Sequence, residues 1–207
     1  MPPGDVSIGN GMTLPCDTSG TSSRTGLAES QVNLDVADAV QQILEGWGAT
    51  VQMTRDSNDG SGPCVDARVE MANAAHADAA VSIHADGVTS TDDHGFHVIV
   101  PELIVGQSQS VVDDSVRLGT DVRDAYRAAT GLPTANYVGV DGINPRADLA
   151  NMNLTTLPRV LIEMGVLGAP AGGSDDLAVL GSETGRENAA RGIANGIAAF
   201  LGVAVRA

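Results

Sequence analysis

Two apolar runs in this chain end in side chains that hold metal ions or move protons. Ala79-Ala80-Val81-Ser82-Ile83-His84 closes on an imidazole, and Arg159-Val160-Leu161-Ile162-Glu163 closes on a carboxylate. Short apolar runs bounded by polar residues suit buried strands of a parallel sheet. Such sheets collect ligands at the carboxyl ends of their strands. A histidine placed there can bind a metal or transfer protons, or it can simply be satisfied by a backbone carbonyl. A glutamate after a buried strand carries a desolvation penalty unless it is paired, metal-bound or protonated. Two strands that each deliver one group to the same edge outline a site.

Alternating helices and strands position these groups. Residues 1–28 are rich in Gly, Ser and Thr and read as loop. Residues 29–47 carry Val32, Val36, Val40, Ile43 and Leu44 at helical spacing, with Gly48 as a stop. Thr50-Val51-Gln52-Met53-Thr54-Arg55 alternates like a strand, and a turn-rich loop follows to Pro63. Residues 65–75 read as a helix before the strand ending at His84. Residues 95–100 form another strand, and 111–129 a helix. Residues 132–157 are a mixed loop region, and the strand to Glu163 is followed by a Gly/Pro/Ser loop. A last helix spans about 184–201. The pattern predicts one α/β domain over 1–207, with a mostly parallel central sheet flanked by helices.

Composition narrows the partners. The 207 residues carry 26 acidic against 11 basic side chains, a formal charge of −15, which disfavours nucleic acid and anionic membranes. Aromatic residues are 2% of the chain, too few for an aromatic sugar platform. No run approaches the ~20 apolar residues of a membrane span, and the N-terminus has no signal-peptide pattern. Cys16 and Cys64 lie in Gly/Ser/Pro-rich loops outside any C-x-x-C spacing. They permit one disulfide, which would imply an oxidising compartment; two free thiols are the alternative.

Several blocks, in this order, resemble the zinc-dependent N-acetylmuramoyl-L-alanine amidases of the amidase_3 group. They are Glu29 opening a helix, Val51-Gln52-Met53-Thr54-Arg55, Arg68 with Ala72-Asn73, Ser82-Ile83-His84-Ala85, Gly95-Phe96 and Leu161-Ile162-Glu163. The Cys16/Cys64 pair and Asn144-Pro145-Arg146 resemble the actinobacterial branch. The resemblance implies zinc held by two histidines and one glutamate, with water in the open position. His84 matches the second histidine, Glu29 the glutamate ligand, and Glu163 the catalytic glutamate that passes a proton from water to the leaving amine. The implied substrate is the amide between the lactyl group of N-acetylmuramic acid and L-alanine, in peptidoglycan or muramoyl-peptide fragments. The expected location is outside the cytoplasm, and the expected assembly a monomer.

Each position also has a plainer role. Glu29 suits a helix N-terminus. Arg55 and Arg68 are expected to pair with carboxylates, His76 and His94 to be solvated, and Asp86 either to orient His84 or to lie exposed. One departure stands out: the Asp-Pro-Gly-His strand that opens the family, with its first zinc histidine, has no counterpart here. The expectation is an N-terminal truncation that removes the first strand, a signal peptide and one ligand; the other reading makes Asp5 a replacement for the histidine. With Glu29 and His84 alone, zinc binding should be weak, and Asp5 and His97 are the candidates for a third ligand. A non-catalytic peptidoglycan-binding module and an unrelated α/β scaffold are the competing functions.

Overall fold

The computed structural model describes residues 4–60, 62–168 and 175–204. The elements run β1 (Val6–Ser7), β2 (Thr13–Leu14), α1 (Glu29–Gly46), α2 (Val65–Ala74), β3 (Ala80–Gly87), β4 (His97–Pro101), α3 (Gln109–Thr130), β5 (Ile143–Arg146), α4 (Ala150–Asn153), β6 (Arg159–Gly168), α5 (Asp175–Leu180) and α6 (Glu183–Leu201). Four strands form the main sheet in the order β3-β6-β4-β5, while β1 and β2 make a separate small hairpin. β3 runs parallel to β6, and β4 parallel to β5; the two pairs meet through an antiparallel β4–β6 contact. The sheet is thus mixed, with two of its three pairings parallel.

Strand alternation separates the two faces of the sheet. Val98, Val100, Val160 and Ile162 point to one face, where they bury against Val32 and Val36 of α1, Leu118 and Val122 of α3, and Ile193 of α6. Ile99 and Leu161 point to the other, under Met152 of α4. On that second face α2 and the hairpin pack through Ile8, Val69 and Ala150. Asn73 ties α2 to the segment after α4: its amide donates to the Leu154 carbonyl at 2.9 Å and its oxygen accepts from Thr156 N–H at 3.1 Å.

Helices α3 and α6 approach closely because α6 lacks side chains at Gly192 and Gly196. A Cβ at Gly192 would lie 2.8 Å from Tyr126 Cα, and one at Gly196 would collide with the Val122 backbone. Backbone atoms cannot rotate away, so Gly196→Val must separate the helices. The expected cost is about 2–3 kcal/mol, the upper range for overpacking, readable as a lower midpoint in urea at unchanged slope. An unchanged midpoint would mean the contact is not tight in solution.

Three expectations are corrected. Residues 50–55 are not a strand: they have no ladder partner, and only Val51 reaches the main core. Alternation marks a segment able to pair, but pairing needs a free strand edge in register, and none of the described strands meets this one. Residues 1–28 contain the β1–β2 hairpin, held by Val6↔Leu14 and Ser7↔Thr13. Helix α5 follows β6 in what reads as a Gly/Pro/Ser loop, of which residues 169–174 lie outside the described residues. Cys16 and Cys64 form a disulfide. Closing a loop of this length restricts the unfolded chain by up to about 4 kcal/mol.

Candidate active site

The register sets His84, Glu163 and His97 side by side across three adjacent strands. His84 pairs with Glu163 in the parallel β3–β6 ladder, and Glu163 with His97 in the antiparallel β6–β4 ladder. Paired positions project to the same face, so the three side chains form one row.

Helix α1 adds Glu29 to this row. Its first turn is tied to the preceding loop by two reciprocal bonds: Glu29 N–H donates to the Thr21 carbonyl at 3.0 Å, and Thr21 N–H donates to Glu29 Oε2 at 2.8 Å. Gly20 leaves room for that oxygen, since a Cβ there would lie 2.5 Å from Oε2. The other oxygen, Oε1, accepts from Asn33 Nδ2 at 3.1 Å and from His84 Nδ1 at 2.9 Å. Burial alone would raise the Glu29 pKa. The hydrogen bonds from His84 and Thr21 outweigh it and hold the carboxyl at about 2. An ionised carboxylate only accepts, so His84 carries its proton on Nδ1 and turns Nε2 away from Glu29. Burial would lower the His84 pKa, but the hydrogen bond to Glu29 and the charge of Glu163 raise it.

Glu163 has the opposite environment. Burial pushes its pKa up to about 8, opposed by the charge of His84, and its Oε2 has no hydrogen-bond partner among the described residues. At neutral pH the carboxyl is therefore mostly protonated. His97 is buried, its Nδ1 also unpartnered, and burial lowers its pKa to about 4, so it is neutral. Tyr137 stands edge-on to the His97 ring at 6.0 Å and donates its hydroxyl to Asp86 Oδ2 at 2.8 Å.

Glu29 and His84 are acceptable donors for zinc. They stand 2.9 Å apart through Glu29 Oε1 and His84 Nδ1, and holding a metal through those two atoms would require His84 to release its Nδ1 proton. The set is incomplete, because among the described residues no three His, Cys, Asp or Glu side chains are grouped to hold a metal. A catalytic zinc takes three protein ligands. Asp5 is exposed beside β1, in the hairpin that packs on α2 and α4.

Other sequence candidates settle into structural roles. Asp86 does not orient His84; Glu29 does, and Asp86 accepts from Tyr137 and from Gly87 N–H. Arg55 has no carboxylate partner among the described residues; it donates to Ser57 O, Asn58 Oδ1 and the Ser30 carbonyl in α1. The helix carbonyl meets the guanidinium in place of an acid. Arg68 pairs with Asp17 at 3.2 Å, and His76 and His94 are exposed. Sequence reasoning passed over Asn33 and Tyr137. The i,i+4 spacing of Asn33 from Glu29 was a readable signal; the position of Tyr137 in an irregular loop was not.

An α/β fold with Glu29, His84 and Glu163 converging on one sheet face belongs to a recognisable class of hydrolase. Residues 8–199 match the Amidase_3 family model, N-acetylmuramoyl-L-alanine amidase, and the chain belongs to that family. It is 36% identical to the N-acetylmuramoyl-L-alanine amidase Rv3717 of Mycobacterium tuberculosis over 95% of this chain and 78% of that protein. Its fold superposes on the amidase Ami1 of Mycobacterium smegmatis with a TM-score of 0.87 at 37% identity, covering 96% of this chain and 88% of that one. Apo Ami1 of Mycobacterium abscessus gives the same TM-score at 36% identity, with 95% and 89% covered.

Proposed function

We propose that the chain is built to hydrolyse the amide between the lactyl group of N-acetylmuramic acid and L-alanine in peptidoglycan or its fragments. The observation that carries this reading is the in-register pair of His84 and Glu163, with Glu29 bonded to His84. Zinc, where bound, supplies an electrophile and acidifies water. Glu29 and His84 would be two of its ligands, and no third His, Cys, Asp or Glu is grouped with them among the described residues. In its ionised form Glu163 would take a proton from the attacking water and then hand it to the amine as the C–N bond breaks. Its buried position keeps its pKa near neutrality, where both transfers are feasible. The disulfide and the wall substrate suit an extracytoplasmic setting. No described helix is long and apolar enough to cross a membrane. The protein acts as a monomer in this reading.

The two-donor set also favours a second reading, a wall-binding module with a weak metal site. Calorimetry with zinc at neutral pH separates the two, alongside cleavage of muramoyl-tripeptide. The expected affinity is more than ~100-fold below that of a three-ligand site, beyond the loss caused by removing an outer-shell partner. Tight one-to-one binding abolished in both Glu29→Ala and His84→Ala would overturn that expectation and send the search for a third donor to Asp5 and His97. Retention on isolated cell wall without cleavage would instead support the binding module.

A further inference from the structure

The chain has one Trp, two Tyr and two Phe, and all but one of them serve the core. Phe96, Tyr126 and Phe200 are buried, and Trp47 packs against the same cluster. Tyr137 is half-buried and stands over the polar row instead. Its ring meets His97 edge-on with centroids 6.0 Å apart, and its hydroxyl donates to Asp86 Oδ2 at 2.8 Å.

These two partners lie on different strands, His97 on β4 and Asp86 on β3, and β6 runs between them. Asp86 is two residues past His84, with Ala85 turned into the main core between them. Asp86 thus shares the face on which His84, Glu163 and His97 are paired. A side chain that reaches from His97 to Asp86 crosses β6 on the face that carries Glu163. Burial raises the Tyr137 pKa, and the charges of Asp86 and Glu163 add to it, as expected for a phenol close to both carboxyls.

Both ends of this side chain are fixed. Ala135 N–H donates to the Phe96 carbonyl at 2.7 Å and Asn136 N–H to the His94 carbonyl at 3.2 Å, which lays the segment before Tyr137 along β4. Beyond it, Asp141 and Gly142 take φ of 47° and 76° in a two-residue turn closed by reciprocal bonds between Val140 and Ile143. At the tip, the other oxygen of Asp86 accepts from Gly87 N–H at 2.7 Å. A ring held at base and tip is a wall, not a loose cover.

We propose that the Tyr137 ring limits the size of the first residue of the peptide stem and so selects alanine there. This rests on the amidase reading. Glu163 hands a proton to the leaving amine, so the residue that owns that amine lies beside Glu163, on the face that Tyr137 crosses. A methyl side chain fits next to the ring, and a branched one collides with it. Tyr137 transfers no proton, and Asp86 acts through it by holding the ring in place.

The test is calorimetric binding of two ligands, N-acetylmuramoyl-L-alanyl-D-isoglutamine and its L-leucyl analogue, each verified as uncleaved. Wild type should favour the alanyl ligand ~10–100-fold, the range that overpacking against a fixed group supplies. Tyr137→Ala should bring the two affinities within ~3-fold of each other, chiefly by gaining the leucyl ligand. Tyr137→Phe keeps the ring and should keep most of the preference. Tyr137→Leu should fall between, and it decides the matter if a lowered Tm shows that the alanine variant is unfolded. A preference as large as that of wild type in both the Ala and Leu variants would overturn the wall and leave the amidase reading standing. Equal weakening of both ligands would make Tyr137 a structural residue and overturn it too, as would a wild type that binds the two alike. Failure of wild type to bind either ligand would overturn the amidase reading along with it.

Discussion

Glu163→Gln should yield a protein that is more stable and has little amidase activity. Glu163 is half-buried, its Oε2 enclosed and unpartnered among the described residues, and its pKa stands at about 8 against 4.5 in the unfolded chain. Between those values the unfolded chain releases the proton and the folded chain keeps it, so stability falls as pH rises from 4.5 to 8. At pH 7 the accumulated cost is up to about 3 kcal/mol. The neutral amide avoids this cost but still needs hydrogen-bond partners, so a gain of about 1–3 kcal/mol is expected. Urea denaturation of both proteins at pH 4 and pH 7 measures it. The gap should be present at pH 7 and close near pH 4, where both chains carry the proton. An equal gap at both pH values would show that ionisation is not its origin. Hydrolysis of muramoyl-tripeptide, in whatever zinc-loaded state supports it, should fall ~10²–10⁴-fold, the range for losing a general acid–base group. A residue that costs stability and supports chemistry is the signature of a functional position.

Glu29→Ala should act in the opposite direction. The carboxylate accepts from Thr21 N–H, Asn33, His84 and Ala85 N–H, and removing it strands four donors. The expected loss is about 3–4 kcal/mol, the range for breaking a buried charged network, or roughly 10 °C in Tm for a chain of this size. The pH dependence has two limbs. The Glu29 pKa is depressed to about 2, so its contribution is complete above 4.5 and fades as pH falls toward 2. The His84 pKa is raised, so its contribution is complete below 6.5 and fades as pH climbs through its folded value. The difference between wild type and variant should therefore be widest from pH 4.5 to 6.5, as followed by thermal melts across pH 3–9. A difference that stays flat across this range would mean that the ion pair is not the stabilising element.

The legible parts of this molecule were those with strong local periodicity. The helical stripe from Val32 to Leu44 and the apolar runs ending at His84 and Glu163 are α1, β3 and β6. Placing a functional group at the end of each run predicted their meeting, because parallel neighbours align their ends. Short elements were less legible. β1, β2 and α5 have two to six residues, too few for a period to show. The segment Thr50–Arg55 failed for a different reason: its alternation is real, but a strand exists only with a partner, and partnership is a property of the whole sheet. The antiparallel β4–β6 contact was hidden for the same reason, and with it the neighbourhood of His97, Asn144 and Glu163. Tyr137 acts from irregular backbone on Asp86, far away in sequence, so no local pattern marked it, whereas Asn33 lies one helical turn from Glu29 and was within reach of the sequence.

The sheet places the two halves of the site on strands of unequal depth. Glu163 sits on β6, bonded on both sides and buried along nearly its whole length. His84 sits on β3, which lies at the end of the sheet and is mostly half-buried. Amide hydrogen exchange should register this as a gradient, slow at residues 160–164 and faster at 80–84, since local openings start where fewer bonds must break. The Glu163 carboxyl is thus fixed on the strand bonded on both sides. The imidazole sits on an edge strand, where such openings are expected first, and anything that pairs with β3 should slow exchange at residues 80–84.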